Sequence, residues 1–136
     1  MIDILDRVRN KELQAKIVSA EEAAAFIKPN MNIGTSGFTP AGYPKAVPLA
    51  LAKRMEKEPF QINLWTGASV GPELDGALAK VHGIKRRMPY QTDKVLRTQL
   101  NSGEVEYCDL HLSESAQLAR YGFMGGKIDV AIVEAC

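Results

Sequence analysis

Glycines and small hydroxyl residues at the ends of short apolar runs are the groups in this sequence best suited to chemistry. GTSGFTPAGYPK at 34–45 brings Gly34, Gly37 and Gly42 together with Phe38 and Tyr43. Such glycines let backbone N–H groups approach an anion closely or adopt positive φ. The same stretch also reads as a linker that needs glycine and proline only to turn. It is neither a G-x-x-x-x-G-K-[ST] phosphate loop nor a G-x-G-x-x-G dinucleotide fingerprint, because Lys45 follows Pro44. A nucleotide phosphate is therefore not the expected ligand. Gly67-Ala68-Ser69 and Thr92 hold equivalent places after the next two candidate strands. Ser69 and Thr92 could converge on one small carboxylate, helped by the positive ends of helix dipoles. Serine and threonine are also preferred helix caps, and Thr92 reads first as a cap.

The remaining chemical candidates have plainer readings. His82 and His111 stand apart with no HExxH or CxxC company, so no metal site is expected. Asp109-Leu110-His111 could set two polar groups on one side of an extended segment, but it names no nucleophile. Lys85-Arg86-Arg87 could clamp a phosphate and reads more simply as a solvated face. Glu134, at the end of the last apolar run, is a conceivable catalytic carboxylate that reads as structural.

Elements to position these groups follow from local signals. Ser19-Ala20-Glu21-Glu22 has the form of a capping box and opens a short helix that Pro29-Asn30 stops. A strand over 31–34 runs into the first loop, and Pro44 then suits the first turn of a helix carrying Val47, Leu51 and Met55 at helical spacing. The order repeats: strand 62–66, loop 67–72 and helix 73–81; a weak strand 85–89 and a helix through Leu100 capped at Thr92-Asp93; strand 105–107 and helix 113–121; and a final strand over 128–135. Strands alternating with helices predict an α/β fold with a largely parallel sheet flanked by helices and right-handed crossovers. The run DVAIV at 129–133 reads as a central strand buried on both faces. No covering helix follows it, which predicts a segment of a longer protein.

The bulk numbers exclude more than they name. With 136 residues, 46% hydrophobic and 24% charged, the chain suits one modest soluble domain. Lys and Arg number 17 against 16 acidic residues, a net charge of +1, so neither nucleic acid nor an anionic membrane is an expected partner. The N-terminus lacks a signal-peptide core, and no stretch approaches the ~18 apolar residues of a membrane span. Cys108 and Cys136 cannot make a disulfide framework, and a reducing, cytoplasmic setting is expected.

Taken together and in order, GTSGFTPAGYPKAVPLALAKRM at 34–55, TGASVGPELDGALAK at 66–80, PYQTD at 89–93, NSGEVEYCDLHL at 101–112 and IDVAIVEA at 128–135 resemble the N-terminal part of the acetyl-CoA hydrolase/transferase family. The likeness runs from Arg9 onward. It implies that residues 1–136 form part of the first domain of a two-domain CoA-transferase-like fold, incomplete at its C-terminal end. It also implies transfer of CoA from an acyl-CoA to a small carboxylate such as acetate or succinate through a glutamyl-CoA thioester. No permanent cofactor is implied, coenzyme A being a substrate, and the full-length protein would be a homo-oligomer. On the matching motifs, Ser69 and Thr92 fall where family members contact the carboxylate, and Gly37 and Phe38 fall on the cleft wall. The nucleophilic glutamate belongs to later sequence, so no catalytic residue is assigned here and the segment alone is expected to be inactive. Alternatives are an acyl-CoA hydrolase, a non-catalytic α/β module binding a carboxylate or sugar phosphate, and an assembly fragment that self-associates through an uncovered patch around residues 128–133.

Overall fold

The computed structural model describes residues 7–68, 71–123 and 125–135. A short helix α1 (Lys11–Gln14) precedes α2 (Ala20–Ala25). The capping box at the start of α2 is present: Ser19 Oγ accepts from the Glu22 N–H at 3.1 Å, and the Ser19 N–H donates to Glu22 Oε2 at 2.8 Å. Five strands follow, β1 (Asn32–Thr35), β2 (Ile62–Trp65), β3 (Ile84–Met88), β4 (Glu106–Tyr107) and β5 (Val130–Ile132). They form one sheet in the order β4-β3-β2-β1-β5 with every pairing parallel, as the alternation predicts.

The connections explain the order. α3 (Ala46–Lys57) follows β1, a π-helical turn (Pro72–Gly76) leads into α4 (Ala77–Lys80) after β2, and α5 (Lys94–Asn101) follows β3. The chain steps outward from β1 to β4, and α6 (Leu112–Tyr121) then carries it back to place β5 on the other side of β1. Right-handed crossovers put helices after outward steps on one face and the returning helix on the other. The reversal makes a topological switch point between β1 and β5, where open α/β sheets bind ligands beyond their carboxyl ends. The apolar core lies on the first face. Ile33, Ile62, Leu64 and Ile84 from the sheet pack with Leu51 and Met55 of α3 and Leu78 of α4.

Three expectations need correction. DVAIV is not a strand buried on both faces: β5 pairs only with β1 among the described strands, Val130 and Ile132 are half-buried and Ala131 is exposed. An unbroken apolar run records what a strand can bury, and here only β1 and sparse helix cover lie against it. Lys85-Arg86-Arg87 is not a solvated face. Lys85 is exposed and Arg86 pairs with Glu106, but Arg87 is fully buried against Asp75 of the π-helical turn. Finally, the helix read over 73–81 is α-helical only from Ala77. Its first turn is widened, with the Gly76 N–H reaching the Gly71 carbonyl at 3.3 Å, and a Cβ on Gly71 would lie 2.2 Å from the Tyr43 ring.

Candidate active site at the carboxyl edge of the sheet

Backbone bonds lace the loops beyond β5, β1, β2 and β3 side by side. The Ser36 N–H donates to the Ile132 carbonyl at 3.0 Å, while Ser36 Oγ accepts from the Glu134 N–H at 2.9 Å and donates to the Gly42 carbonyl at 2.6 Å. The Thr39 N–H donates to the Ala68 carbonyl at 2.8 Å, and the Thr66 N–H to the Met88 carbonyl at 3.0 Å. Gly37 has φ 123°, and its carbonyl sits so close to Gly67 that a Cβ there would lie 2.3 Å from the oxygen. Two of the glycines singled out in the sequence thus let one loop rest on the next. Phe38 and Ala41 exchange backbone bonds of 2.9 and 3.2 Å around Pro40, which holds the Phe38 ring outward, 58% exposed.

Ser69 lies outside the described residues. Thr92 is not the cap that its type suggests: Asp93 Oδ1 accepts from the N–H groups of Val95 and Leu96 at 2.9 and 3.0 Å and starts α5. With the next residue capping, the half-buried Thr92 keeps its hydroxyl without a hydrogen bond among the described residues, and its carbonyl accepts from Arg97 Nη2 at 2.8 Å. Gln91, beside it, is buried with Oε1 unpartnered among the described residues. Gly37 and Phe38 thus follow β1 and Thr92 follows β3, on the same edge of the sheet with the β2 loop between them.

Sequence reasoning missed several groups that shape this edge. Tyr43 is buried, and its hydroxyl donates to Glu73 Oε2 at 2.5 Å. That bond, with burial and the nearby carboxylates, pushes the Tyr43 phenol up to about 12. It also holds the Glu73 carboxyl below its ordinary range, with Lys45 adding to the effect. Lys45 Nζ lies 4.4 Å from the Tyr43 ring centroid and 2.6 Å from Glu134 Oε1. Glu134 is thus engaged in an ion pair that ties the first loop to the end of β5. Below the loops, Arg87 donates from Nε to Asp75 Oδ1 at 2.8 Å and from Nη1 to the Met88 carbonyl at 2.7 Å. Burial pushes the Asp75 carboxyl up, with the Arg87 guanidinium opposing.

Other sequence candidates lie elsewhere. His82 precedes β3, at the opposite edge of the sheet, and pairs with Glu104. His111 is the exposed residue before α6, and Cys108 carries a free thiol. No described cluster of His, Cys, Asp or Glu could hold a metal ion. No helix among the described residues is long and apolar enough to cross a membrane.

A doubly wound parallel domain with loops gathered at its switch point has the frame of a ligand-binding or enzymatic α/β domain. Its sequence matches the acetyl-CoA hydrolase/transferase N-terminal domain over residues 1–136, and the chain belongs to that family. It is 47% identical to succinyl-CoA:acetate CoA-transferase of Clostridium kluyveri over 131 residues, covering 95% of this chain and 24% of that protein. It is also 47% identical to propanoyl-CoA:succinate CoA transferase of Escherichia coli K12, covering 91% and 26%. Acetyl-CoA hydrolase of Yarrowia lipolytica is 37% identical, covering 95% and 27%. The chain therefore spans about a quarter of the length of these relatives. Among solved structures, RipA from Yersinia pestis shares the fold with TM-score 0.61 and 18% identity, over 85% of this chain and 28% of that one. A variant of the decarboxylase AibA/AibB does so with TM-score 0.62 and 19% identity, over 79% and 43%.

Proposed function

We propose that the chain is the N-terminal domain of a CoA-transferase that moves CoA between an acyl-CoA and a small carboxylate such as acetate or succinate. The observation that carries this reading is the gathering of the β1, β2 and β3 loops, in a chain matched along its length by the family's N-terminal domain. Thr92, Ser69, Gly37 and Phe38 form the carboxylate-side wall. A glutamate in sequence beyond this chain attacks the thioester carbonyl: its oxygen bonds the acyl carbon, the C–S bond breaks and CoA leaves as thiolate. The thiolate then attacks the glutamyl carbonyl of the anhydride and releases the first carboxylate. The incoming carboxylate reverses these two steps, so one difficult exchange becomes a series of easier ones. Backbone N–H groups aimed at the developing oxyanion supply much of the acceleration in such chemistry. Glu134 is not offered as the nucleophile, because its carboxylate is held by Lys45. The domain continues past residue 136 in a cytoplasmic homo-oligomer.

Relatives that hydrolyse acetyl-CoA support a second reading in which water replaces the acceptor carboxylate. Thioester exchange tests both. The 136-residue chain, given acyl-CoA and acetate, is expected to give no exchange, and the full-length protein is expected to exchange with carboxylate and not with water. Robust turnover by the chain alone would overturn the placement of the nucleophile.

A further inference from the structure

The buried pair of Arg87 and Asp75 joins two places where loops of the candidate site are anchored. Arg87 is the penultimate residue of β3, and Asp75 lies on the π-helical turn that follows the β2 loop. Neither is accessible to solvent. The guanidinium meets the carboxylate with two nitrogens, Nε on Oδ1 at 2.8 Å and Nη2 on Oδ2 at 3.2 Å, while Nη1 donates to the Met88 carbonyl at 2.7 Å. That carbonyl ends β3, and it also accepts from the N–H of Thr66, the first residue beyond β2, at 3.0 Å. One side chain thus braces the point where the β2 and β3 loops leave the sheet.

The π-helical turn is held on its other sides as well. Glu73 accepts from the Tyr43 hydroxyl of the first loop, the Tyr43 ring packs against Gly71, and Gly76 lies so near Asp93 that a Cβ there would sit 3.0 Å from Oδ2. Asp93 caps α5 and follows Thr92. Widened turns of this kind recur at functional sites. Stability alone is a poor account of the ion pair. Charges taken out of water lose hydration that their attraction repays only in part, and apolar side chains of similar volume often serve a fold as well. What apolar groups cannot supply is a rigid fork that fixes a carboxylate and a carbonyl at once. We propose that Arg87 and Asp75 are positioning residues, which set the spacing between the β2 and β3 loops and so place Thr92 relative to the β2 loop. That these loops form a carboxylate wall rests on the CoA-transfer reading, whereas the spacing of the loops by the pair does not.

Two variants of the full-length protein test the assignment. Asp75→Leu combined with Arg87→Met replaces the pair by apolar groups, and Arg87→Lys keeps a counter-charge for Asp75 while losing the fork. Arg87→Lys carries the same readings if the apolar pair fails to fold. Amide hydrogen exchange reads the brace directly. The Thr66 N–H, on the braced carbonyl, is expected to exchange roughly tenfold faster in each variant. The Ile62 N–H, on the Gly83 carbonyl at 2.9 Å at the other end of β2, is expected to keep its rate. In thioester exchange, KM for acetate is expected to rise roughly tenfold while KM for the acyl-CoA stays within about twofold. Equal acceleration at Ile62 and Thr66 would show a general loss of stability, and parent-like protection of Thr66 would show no brace. Either result overturns the proposal, as does an acetate KM that stays at the parent value in an active enzyme. The parent protein separates this proposal from the reading beneath it. Transfer by the parent with Thr66 unmoved in the variants sinks the positioning role and leaves CoA transfer standing. Faster exchange confined to Thr66, in a protein whose parent transfers nothing, supports the spacing of the loops and sinks CoA transfer.

Discussion

The two faces of the sheet are built on different principles. On the face covered by α3, α4 and α5, apolar side chains fill the space, and the one buried ion pair among the described residues, Arg87 with Asp75, has both members fully enclosed. On the face toward α6, the strands present Asn32, Asn63 and Arg86 instead. Asn63 Nδ2 donates to Asn32 Oδ1 at 3.0 Å, Asn32 Nδ2 donates to the carbonyls of Gly125 and Lys127 at 3.1 and 3.0 Å, and Arg86 Nε donates to Glu106 at 2.7 Å. Polar bonds fasten the amino ends of the strands, and the carboxyl ends are left open around Trp65. One face carries the stability of the domain, and the other trades burial for space beside the loops. Substitutions should accordingly cost most on the first face and least at the loop edge.

Asp75→Asn is expected to have the largest effect, about 3–5 kcal/mol of unfolding free energy, because it removes the Asp75 charge from a fully buried guanidinium. Denaturant midpoints read it, and a loss under 1 kcal/mol would mean that the helix-side face is not the stabilising one. Asn32→Ala on the opposite face should cost less, roughly 1–3 kcal/mol, by stranding the two carbonyls and the Asn63 amide. Equality with Asp75→Asn would erase the contrast between faces.

The loop edge supplies the pH dependence. Hydrogen bonding to Glu73 raises the Tyr43 phenol from 10.0 to about 12. A raised value means that the protonated phenol is favoured by folding, so its contribution is intact below pH 10 and is lost as pH climbs toward 12. Phenolate absorbance should show Tyr43 ionising late in that window, and Tyr43→Phe should flatten the alkaline limb of stability. A Tyr43 titration at the ordinary value would break the link between the first loop and the π-helical turn. Glu134→Gln should have the smallest effect, no more than about 1 kcal/mol, because both side chains of the Lys45 pair are substantially exposed.

What could be read from the sequence was what local chemistry decides. The capping box at Ser19 is written in four adjacent residues, and the alternation of strands and helices needs only periodicity, so both were legible. Adjacent Thr92 and Asp93 are each good caps, and only the backbone path at the start of α5 chooses Asp93, which leaves the Thr92 hydroxyl available. Arg87 looks like part of a basic run until Asp75, on a separate element, is folded against it. Trp65 ends an ordinary strand segment, and the space it faces appears only when β5 and α6 return across the sheet. The opening loop was legible as a turn at the end of a strand from its glycines, while its anchorage through Tyr43, Lys45 and Glu134 joins residues as much as 89 positions apart.

The proposed ligand side of the domain can be tested on backbone resonances. Addition of acetate is expected to give saturable shifts in a nitrogen-edited NMR spectrum at Gly37, Thr66 and Thr92 and none at His82 or Glu104. Shifts confined to the His82 edge, or a spectrum unchanged at saturating acetate, would contradict a ligand site at the carboxyl edge.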